Sequence, residues 1–133
     1  MLRPILLLGI WMCAFWVHAN EEIRLTQFPV HQQLYPRNLS TNKAQVPVNC
    51  FVYAGSELEK IQLVIKREDE VVVTISKELE FNGADSIEVG FIFDLPAELA
   101  NYEFLLEGVK GGEAQYLTHA MNVVAGDAYL ING

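Results

Sequence analysis

The sequence has 133 residues, of which 51% are hydrophobic, and its 17 acidic and nine basic side chains give a net charge of −8. This length fits one domain with its own core, and so acidic a chain is a poor candidate for binding nucleic acid or anionic lipid. The sequence contains no phosphate loop, dinucleotide fingerprint or cysteine metal motif, so we expect no cofactor.

The first 19 residues have the pattern of a secretory signal peptide. Arg3 supplies a positive start, residues 5–17 are almost all apolar, and Val17 and Ala19 are small residues at the positions that a signal peptidase reads. A membrane anchor is the weaker alternative, because this run is too short to cross about 30 Å of hydrocarbon comfortably. We expect cleavage near Ala19 and a secreted or periplasmic protein, with no membrane segment in its mature form.

Signal removal would leave 114 residues with a net charge of −9 and Cys50 as the single cysteine, so no internal disulfide could form. Cys50 lies in an alternating apolar pattern. That setting favours a small buried hydrophobe over a reactive thiol.

Residues 20–43 predict one short strand followed by irregular structure. Residues 23–28 alternate between apolar and polar, and Pro29 and Pro36 then confine the chain to a sheet edge or a kinked crossing. Residues 38–42 have the composition of a turn. They include a glycosylation sequon at Asn38, which matters only in a eukaryotic secretory pathway.

From Ala44 onward the hydrophobic period is two almost throughout, which predicts successive strands. We expect turns at residues 67–70 and at Asn82-Gly83, and at most one helical turn at residues 96–101. A tyrosine that opens a strand after such a corner, here Tyr102, is typical of the tyrosine corner in immunoglobulin-like sandwiches, where its hydroxyl bonds to the preceding backbone. The prediction is an all-β fold, an immunoglobulin-like two-sheet β-sandwich of about seven strands.

The sandwich region predicts no catalytic residue. His31 and His119 fall in no metal-ligand spacing, and a solvated or structural role is favoured for each. The acidic cluster Glu68-Asp69-Glu70 could help to bind calcium, but it lacks the spaced ligand pattern and suits a charged hairpin turn better, so we expect no metal. Four serines lie in turns or at strand ends, and none has the surroundings of an exposed nucleophile elbow: Ser40, Ser56, Ser76 and Ser86. Four tyrosines could stack on a sugar, but aromatic residues at strand spacing are more often core residues or cross-strand pairs: Tyr35, Tyr53, Tyr116 and Tyr129.

The last eleven residues stand apart from this pattern. The chain turns at Gly126-Asp127, runs apolar over residues 128–131, and reaches a turn-forming Asn132-Gly133 pair. A short buried strand of this kind needs neighbours to cover it. The sequence therefore predicts that a further domain begins here.

These residues carry a resemblance to a known family. Residues 125–133, Ala-Gly-Asp-Ala-Tyr-Leu-Ile-Asn-Gly, resemble the segment that enters the catalytic domain of sialate O-acetylesterase-like enzymes in the SGNH/GDSL hydrolase superfamily. In that family Gly-Asp-x-x-x-x-x-Gly is followed by Gln-Ser-Asn, whose serine is the nucleophile. Phe28-Pro29-Val30 with Leu34-Tyr35-x-Arg37-Asn38 resembles the start of the β-sandwich that precedes this domain in secreted bacterial members.

The resemblance implies three parts: a signal peptide (1–19), an immunoglobulin-like sandwich (20–124), and a linker with the first strand of a truncated α/β hydrolase domain (125–133). Gly126, Asp127, Asn132 and Gly133 would enter an active site whose serine, oxyanion donors and Asp-x-x-His lie outside this sequence. Gly133 matches the glycine before the nucleophile. Asp127 matches the aspartate at the domain entry, where we expect a turn or cap.

Two hypotheses follow. In the first, the chain is the non-catalytic sandwich module of a secreted carbohydrate O-acetylesterase; its partner is its own hydrolase domain and, through the parent enzyme, an acetylated carbohydrate. In the second, it is a stand-alone secreted immunoglobulin-like binding or adhesion module. A small self-sufficient hydrolase is the least favoured reading, since the chain lacks a nucleophile with partners.

Overall fold

The computed structural model describes residues 22–127. The predicted signal peptide, the apolar run at 128–131, and Asn132 and Gly133 lie outside the described residues. Within them the fold is all-β, and a single 3₁₀ turn at Ala54–Ser56 is the only helical element. The strands are β1 Ile23–Gln27, β2 Leu34–Pro36, β3 Lys43–Tyr53, β4 Lys60–Arg67, β5 Glu70–Glu78, β6 Ser86–Pro96, β7 Tyr102–Lys110 and β8 Glu113–Gly126.

The strands form two sheets that enclose one core. The smaller sheet has the order β1-β3-β6 and the larger has the order β2-β8-β7-β4-β5. All neighbouring pairs are antiparallel except β2 and β8, which are parallel. The predicted two-sheet architecture is confirmed. The described residues hold eight strands rather than about seven, because the proline-containing segment at 34–36 forms a three-residue edge strand.

The core follows from the alternation that the sequence shows. Four residues on one face of β3, Val46, Val48, Cys50 and Val52, are fully buried, and they pack against buried residues of the larger sheet. Burying each large aliphatic or aromatic side chain contributes about 1.5–3 kcal/mol. The opposing layer is supplied mainly by Ile61, Leu63, Ile65, Phe104 and Leu106.

The predicted turns form, but one of them does not join paired strands. Glu68 and Asp69 both have positive φ and close the β4–β5 hairpin, as expected. Asn82 and Gly83 also have positive φ, and the Ala84 N–H donates to the Phe81 carbonyl over 2.8 Å. The chain crosses at this point from the larger sheet to the smaller one, so β5 and β6 are not partners. Residues 22–127 contain no helix with the length and apolar character needed to cross a membrane.

Candidate functional site

The two segments that carry the family resemblance meet at one end of the sandwich. Strand β2 runs parallel to the end of β8, with Leu34 beside Val124, Tyr35 beside Ala125 and Pro36 beside Gly126. Strand β8 therefore continues two residues past the predicted boundary at residue 124. Ala125 is 5% exposed and belongs to the core, so Ala125 and Gly126 are structurally part of the sandwich.

Arg37 fixes the point at which the chain leaves β8. Its Nε donates to Asp127 Oδ1 over 2.6 Å and its Nη2 donates to Asp127 Oδ2 over 3.2 Å. Its backbone N–H donates to the Gly126 carbonyl over 2.9 Å, and its Nη1 donates to Asn42 Oδ1 over 2.8 Å. A bidentate arginine–carboxylate pair fixes direction as well as distance. Asp127 thus forms an ion pair at the point where the chain leaves β8.

A second carboxylate, that of Glu98, stabilises the neighbouring corner at residues 96–101. Glu98 accepts hydrogen bonds from Arg67 Nε at 2.8 Å and from Arg67 Nη2 at 3.2 Å, and it also accepts a hydrogen bond from the Tyr102 hydroxyl. The Tyr102 hydroxyl therefore bonds to a side chain, whereas in a tyrosine corner it bonds to the preceding backbone. Because β7 begins at Tyr102, this bond ties the corner to the start of that strand.

The charges of this corner shift two pKa values in opposite directions. The hydrogen bond from Arg67, with that from Tyr102, lowers the pKa of Glu98 below its usual value. Burial, together with the hydrogen bond to Glu98, raises the pKa of Tyr102 to about 12. At neutral pH the corner therefore holds an ionised carboxylate and a neutral phenol, the pair of states that suits their hydrogen bond.

An apolar surface lies between these two ionic contacts. Leu99 is fully exposed although its neighbour Ala100 is 5% exposed, and Leu34 of β2 is 43% exposed. A cavity of about 430 Å³ lies between them and includes Val124 and Asp127 in its lining. We call Leu34, Glu98, Leu99, Ala100 and Asp127 the exit surface. No sequence pattern predicts this surface, because Leu99 lies in the short irregular loop between β6 and β7.

A second cluster, formed by His31, Tyr116 and His119, lies beside β8. The rings of His31 and His119 have their centroids 5.3 Å apart in an edge-to-face arrangement, and His119 Nδ1 lies 2.9 Å from the Tyr116 hydroxyl. Tyr116 is 61% exposed. A cavity of about 370 Å³ beside the two histidines is lined largely by the segment from Leu25 to Val30. The histidines are 88 residues apart, so no local spacing could have paired them.

The chemistry of this cluster does not fit a metal site. His31 Nδ1 accepts a hydrogen bond from the Met121 backbone N–H over 3.0 Å, so in the neutral ring the proton is on Nε2. A histidine that binds a metal through one ring nitrogen instead carries its proton on the other nitrogen and donates a hydrogen bond from it. No group of three or more histidine, cysteine, aspartate or glutamate side chains within 22–127 is arranged to hold a metal ion.

Three further candidates, Glu68, Ser56 and Cys50, have structural roles. Glu68 accepts the Asn101 backbone N–H over 2.8 Å, which uses part of the acidic cluster to join the β4–β5 hairpin to the corner before β7. Buried Ser56 donates to the Tyr53 carbonyl over 2.7 Å and so stabilises its own turn. Burial raises the pKa of the Cys50 thiol to about 11. Cys50 is therefore a protonated core residue, as the sequence predicted.

No family model matches the chain, and no curated protein matches it either.

Proposed function

We propose that the chain is the non-catalytic, immunoglobulin-like N-terminal module of a secreted carbohydrate O-acetylesterase of the sialate O-acetylesterase-like type. In this proposal residues 125–133 connect the sandwich to an SGNH-type hydrolase domain, and the nucleophilic serine follows Gly133. The module contributes no catalytic group. Its role is to hold and orient the hydrolase domain.

The observation that carries the proposal is the meeting of the two resembling segments. Residues 34–37 and 125–127 belong to the two segments that carry the resemblance, and they are far apart in sequence. They form one parallel pair, which ends in the bidentate contact between Arg37 and Asp127. A junction that must orient a following domain needs such a contact at the last residue of the module, because an unconstrained linker would let the domains rotate.

The strand arrangement supports the immunoglobulin-like part of the proposal. In that fold strands A, B and E share one sheet and C, F and G share the other. Here β1, β3 and β6 correspond to the first group, and β4, β7 and β8 correspond to the second. Strand β5 occupies the place of the additional strand beside C in variable-type domains. Tyr102 opens the strand equivalent to F, the strand on which the tyrosine corner is found.

The exit surface is the face on which we place the hydrolase domain. Asp127 lines its cavity, so the polypeptide that follows is tethered at the rim, where its effective concentration is roughly millimolar. Leu99 and Leu34 offer apolar contacts there. Glu98 and Asp127 each pair with an arginine, and Glu68, which also lines the cavity, accepts the Asn101 backbone N–H. Each of these carboxylates therefore keeps a partner if an apolar surface covers the cavity.

The coding DNA downstream of the Gly133 codon tests the proposal. We expect Gln-Ser-Asn to follow directly or in a shifted reading frame, with an Asp-x-x-His farther on. If no frame encodes these residues, the proposal is wrong.

A second candidate is a stand-alone secreted immunoglobulin-like binding module. His31 and His119 line a cavity of about 370 Å³, and the exposed Tyr116 contacts His119. This arrangement favours the second candidate, because a small number of polar groups at an apolar cavity is typical of a ligand site. The intact mass of the natural secreted product separates the two candidates. A mass well above 15.0 kDa supports the esterase, and a mass slightly below it supports signal removal and a self-standing module.

A further inference from the structure

The chain between β1 and β2 passes from the smaller sheet to the larger one, and we call residues 28–33 of this connection the strap. A turn closes the strap. The Gln33 backbone N–H donates to the Val30 carbonyl over 3.2 Å, the Val30 backbone N–H donates to Gln33 Oε1 over 2.9 Å, and Gln32 between them has positive φ. The strap continues directly into β2, the strand that pairs with the end of β8. Contacts that hold the strap in place therefore also support that pairing.

The strap is attached to β8 at a β-bulge. Met121 and Asn122 of β8 together lie opposite the single residue Glu103 of β7, and Asn122 has positive φ. Met121 bonds to the strap through both of its backbone groups. Its carbonyl accepts the Gln32 backbone N–H over 2.9 Å, and its N–H donates to His31 Nδ1 over 3.0 Å. One of these two bonds is therefore made by a titratable side chain.

The bond between His31 and Met121 exists in only one protonation state of the imidazole. A backbone N–H can only donate, so the bond needs an unprotonated Nδ1, and a protonated imidazole has two N–H donors and no acceptor. His119 differs, because its Nδ1 lies 2.9 Å from the Tyr116 hydroxyl, which can either donate or accept. His119 can thus keep its hydrogen bond in both protonation states, whereas His31 cannot.

The surroundings of His31 offer no carboxylate in exchange for the lost bond. The ion pairs described within residues 22–127 include neither histidine. The rings of His31 and His119 have their centroids 5.3 Å apart, so a charge on His119 disfavours a second charge on His31. On β1, the charged group of Arg24 is also a cation, and it lies over the Phe51 ring.

The carboxylates of β7 are engaged elsewhere. Glu103 and Glu107 share a sheet face with Leu105, which lies opposite His119. Glu103 lies opposite Lys66 of β4, and Glu107 accepts a hydrogen bond from Gln62 Nε2 over 3.3 Å. Protonation of His31 therefore removes a hydrogen bond without forming an ion pair.

We infer that the strap is a pH-sensitive latch, which neutral His31 holds on the β8 bulge and which protonation of His31 releases. Histidine is the side chain that ordinarily changes its charge between pH 5 and 8, so the latch is closed at the upper end of this range and opens toward pH 5. Release is local, because His31 and Met121 are exposed and the core does not depend on them. The latch belongs to the sandwich alone, so it is independent of either candidate function.

Amide hydrogen exchange, followed by NMR on the full chain and corrected for the intrinsic rate at each pH, tests the latch. Between pH 7.5 and pH 5 the protection of the Gln32 and Met121 amides should fall by about tenfold, which corresponds to the loss of one hydrogen bond. Amides in the β3–β6 pairing should keep their protection, since they report unfolding of the whole sandwich. The inference is overturned if the Gln32 amide is equally protected at both pH values, or if the β3–β6 amides lose as much.

Three variants separate His31 from its neighbour. His31→Asn places an oxygen that does not titrate near the position of Nδ1, so the Gln32 amide should stay protected at both pH values. His31→Ala should lose that protection at both. His119→Asn is the matched control: it removes the second imidazole, keeps an acceptor for Tyr116, and should still release the strap at pH 5.

Thermal unfolding at pH 7.5 shows whether each variant is folded. Three results with folded protein would overturn the latch: a wild-type pH response in His31→Asn, wild-type protection at pH 7.5 in His31→Ala, or loss of the pH response in His119→Asn.

Discussion

The guanidinium group of Arg37 holds the carboxylate of Asp127 through two hydrogen bonds, across 90 residues of sequence. The contact closes the end of the parallel β2–β8 pair and sets the direction in which the chain leaves the sandwich. It joins the start of the fold to its last described residue. An ion pair in this place acts on geometry more than on stability, since the two side chains are 30% and 40% exposed.

Replacing Arg37 by alanine should lower the free energy of unfolding by about 1 kcal/mol, because it removes a bidentate pair that is partly shielded from solvent. Urea unfolding followed by circular dichroism measures the change. Glu57→Ala, which breaks the single-contact, more exposed pair with Lys110, should cost less than about 0.5 kcal/mol. Equal costs for the two variants would contradict the role assigned to the Arg37–Asp127 geometry.

The tight packing at Gly108 should make Gly108→Ala destabilising by about 1–3 kcal/mol. A Cβ there would lie 2.7 Å from one methyl group of Leu58 and 3.0 Å from the other, so the strand or the leucine must move. Gly55→Ala is the matched control, because its Cβ would have no heavy atom within 4 Å, and it should leave stability nearly unchanged. Shortening Leu58 to alanine should make the Gly108→Ala change less costly than it is in the wild type. Additive costs in the double variant would show that the leucine is not the obstacle.

Alanine substitutions at Leu95, near the end of β6, and at Leu99, in the corner before β7, should differ sharply in their effect on the free energy of unfolding. Leu95 is fully buried, so Leu95→Ala should cost about 2–5 kcal/mol in unfolding free energy. Leu99 is fully exposed, so Leu99→Ala should change it by less than about 0.5 kcal/mol. A large cost at Leu99 in this chain would mean that it packs within the module, and the exit surface would then not be free for another domain.

The Tyr102–Glu98 contact should make stability depend on pH at high pH. The pKa of Tyr102 is raised from 10.0 to about 12, so the folded state favours the neutral phenol. Its contribution is complete below pH 10 and is lost as pH rises toward 12. Tyr102→Phe should therefore show a weaker loss of stability than the wild type between these values. Absorbance titration at the phenolate band checks the assignment, because one late-ionising tyrosine should disappear in the variant.

Cys50 should be inert while the protein is folded. It is fully buried, and burial raises the pKa of its thiol to about 11, so access and thiolate formation are both suppressed. Mass spectrometry after treatment with iodoacetamide at pH 8 should find no adduct at Cys50 in native protein and an adduct at Cys50 in urea. Modification of the native protein at a rate similar to that in urea would contradict the packing of β3.

The sequence by itself determined most of the strands, most of their turns and the buried face of β3. Period-two alternation is local, and it was sufficient to assign Val46, Val48, Cys50 and Val52 to the core. The same reasoning could not tell that Asn82-Gly83 carries the chain between sheets, because a turn sequence specifies local φ and ψ but not which strand comes next to which.

Only the tertiary structure decided the contacts between distant residues. The pairing of Arg37 with Asp127, the approach of His31 to His119 and the reach of Lys77 to Gly90 each depend on how the two sheets are stacked and which edges face each other. Stacking is fixed by the burial of the whole core, to which every strand contributes. No short segment of the sequence holds that information, so the sites on the sheet edges could not be predicted from it.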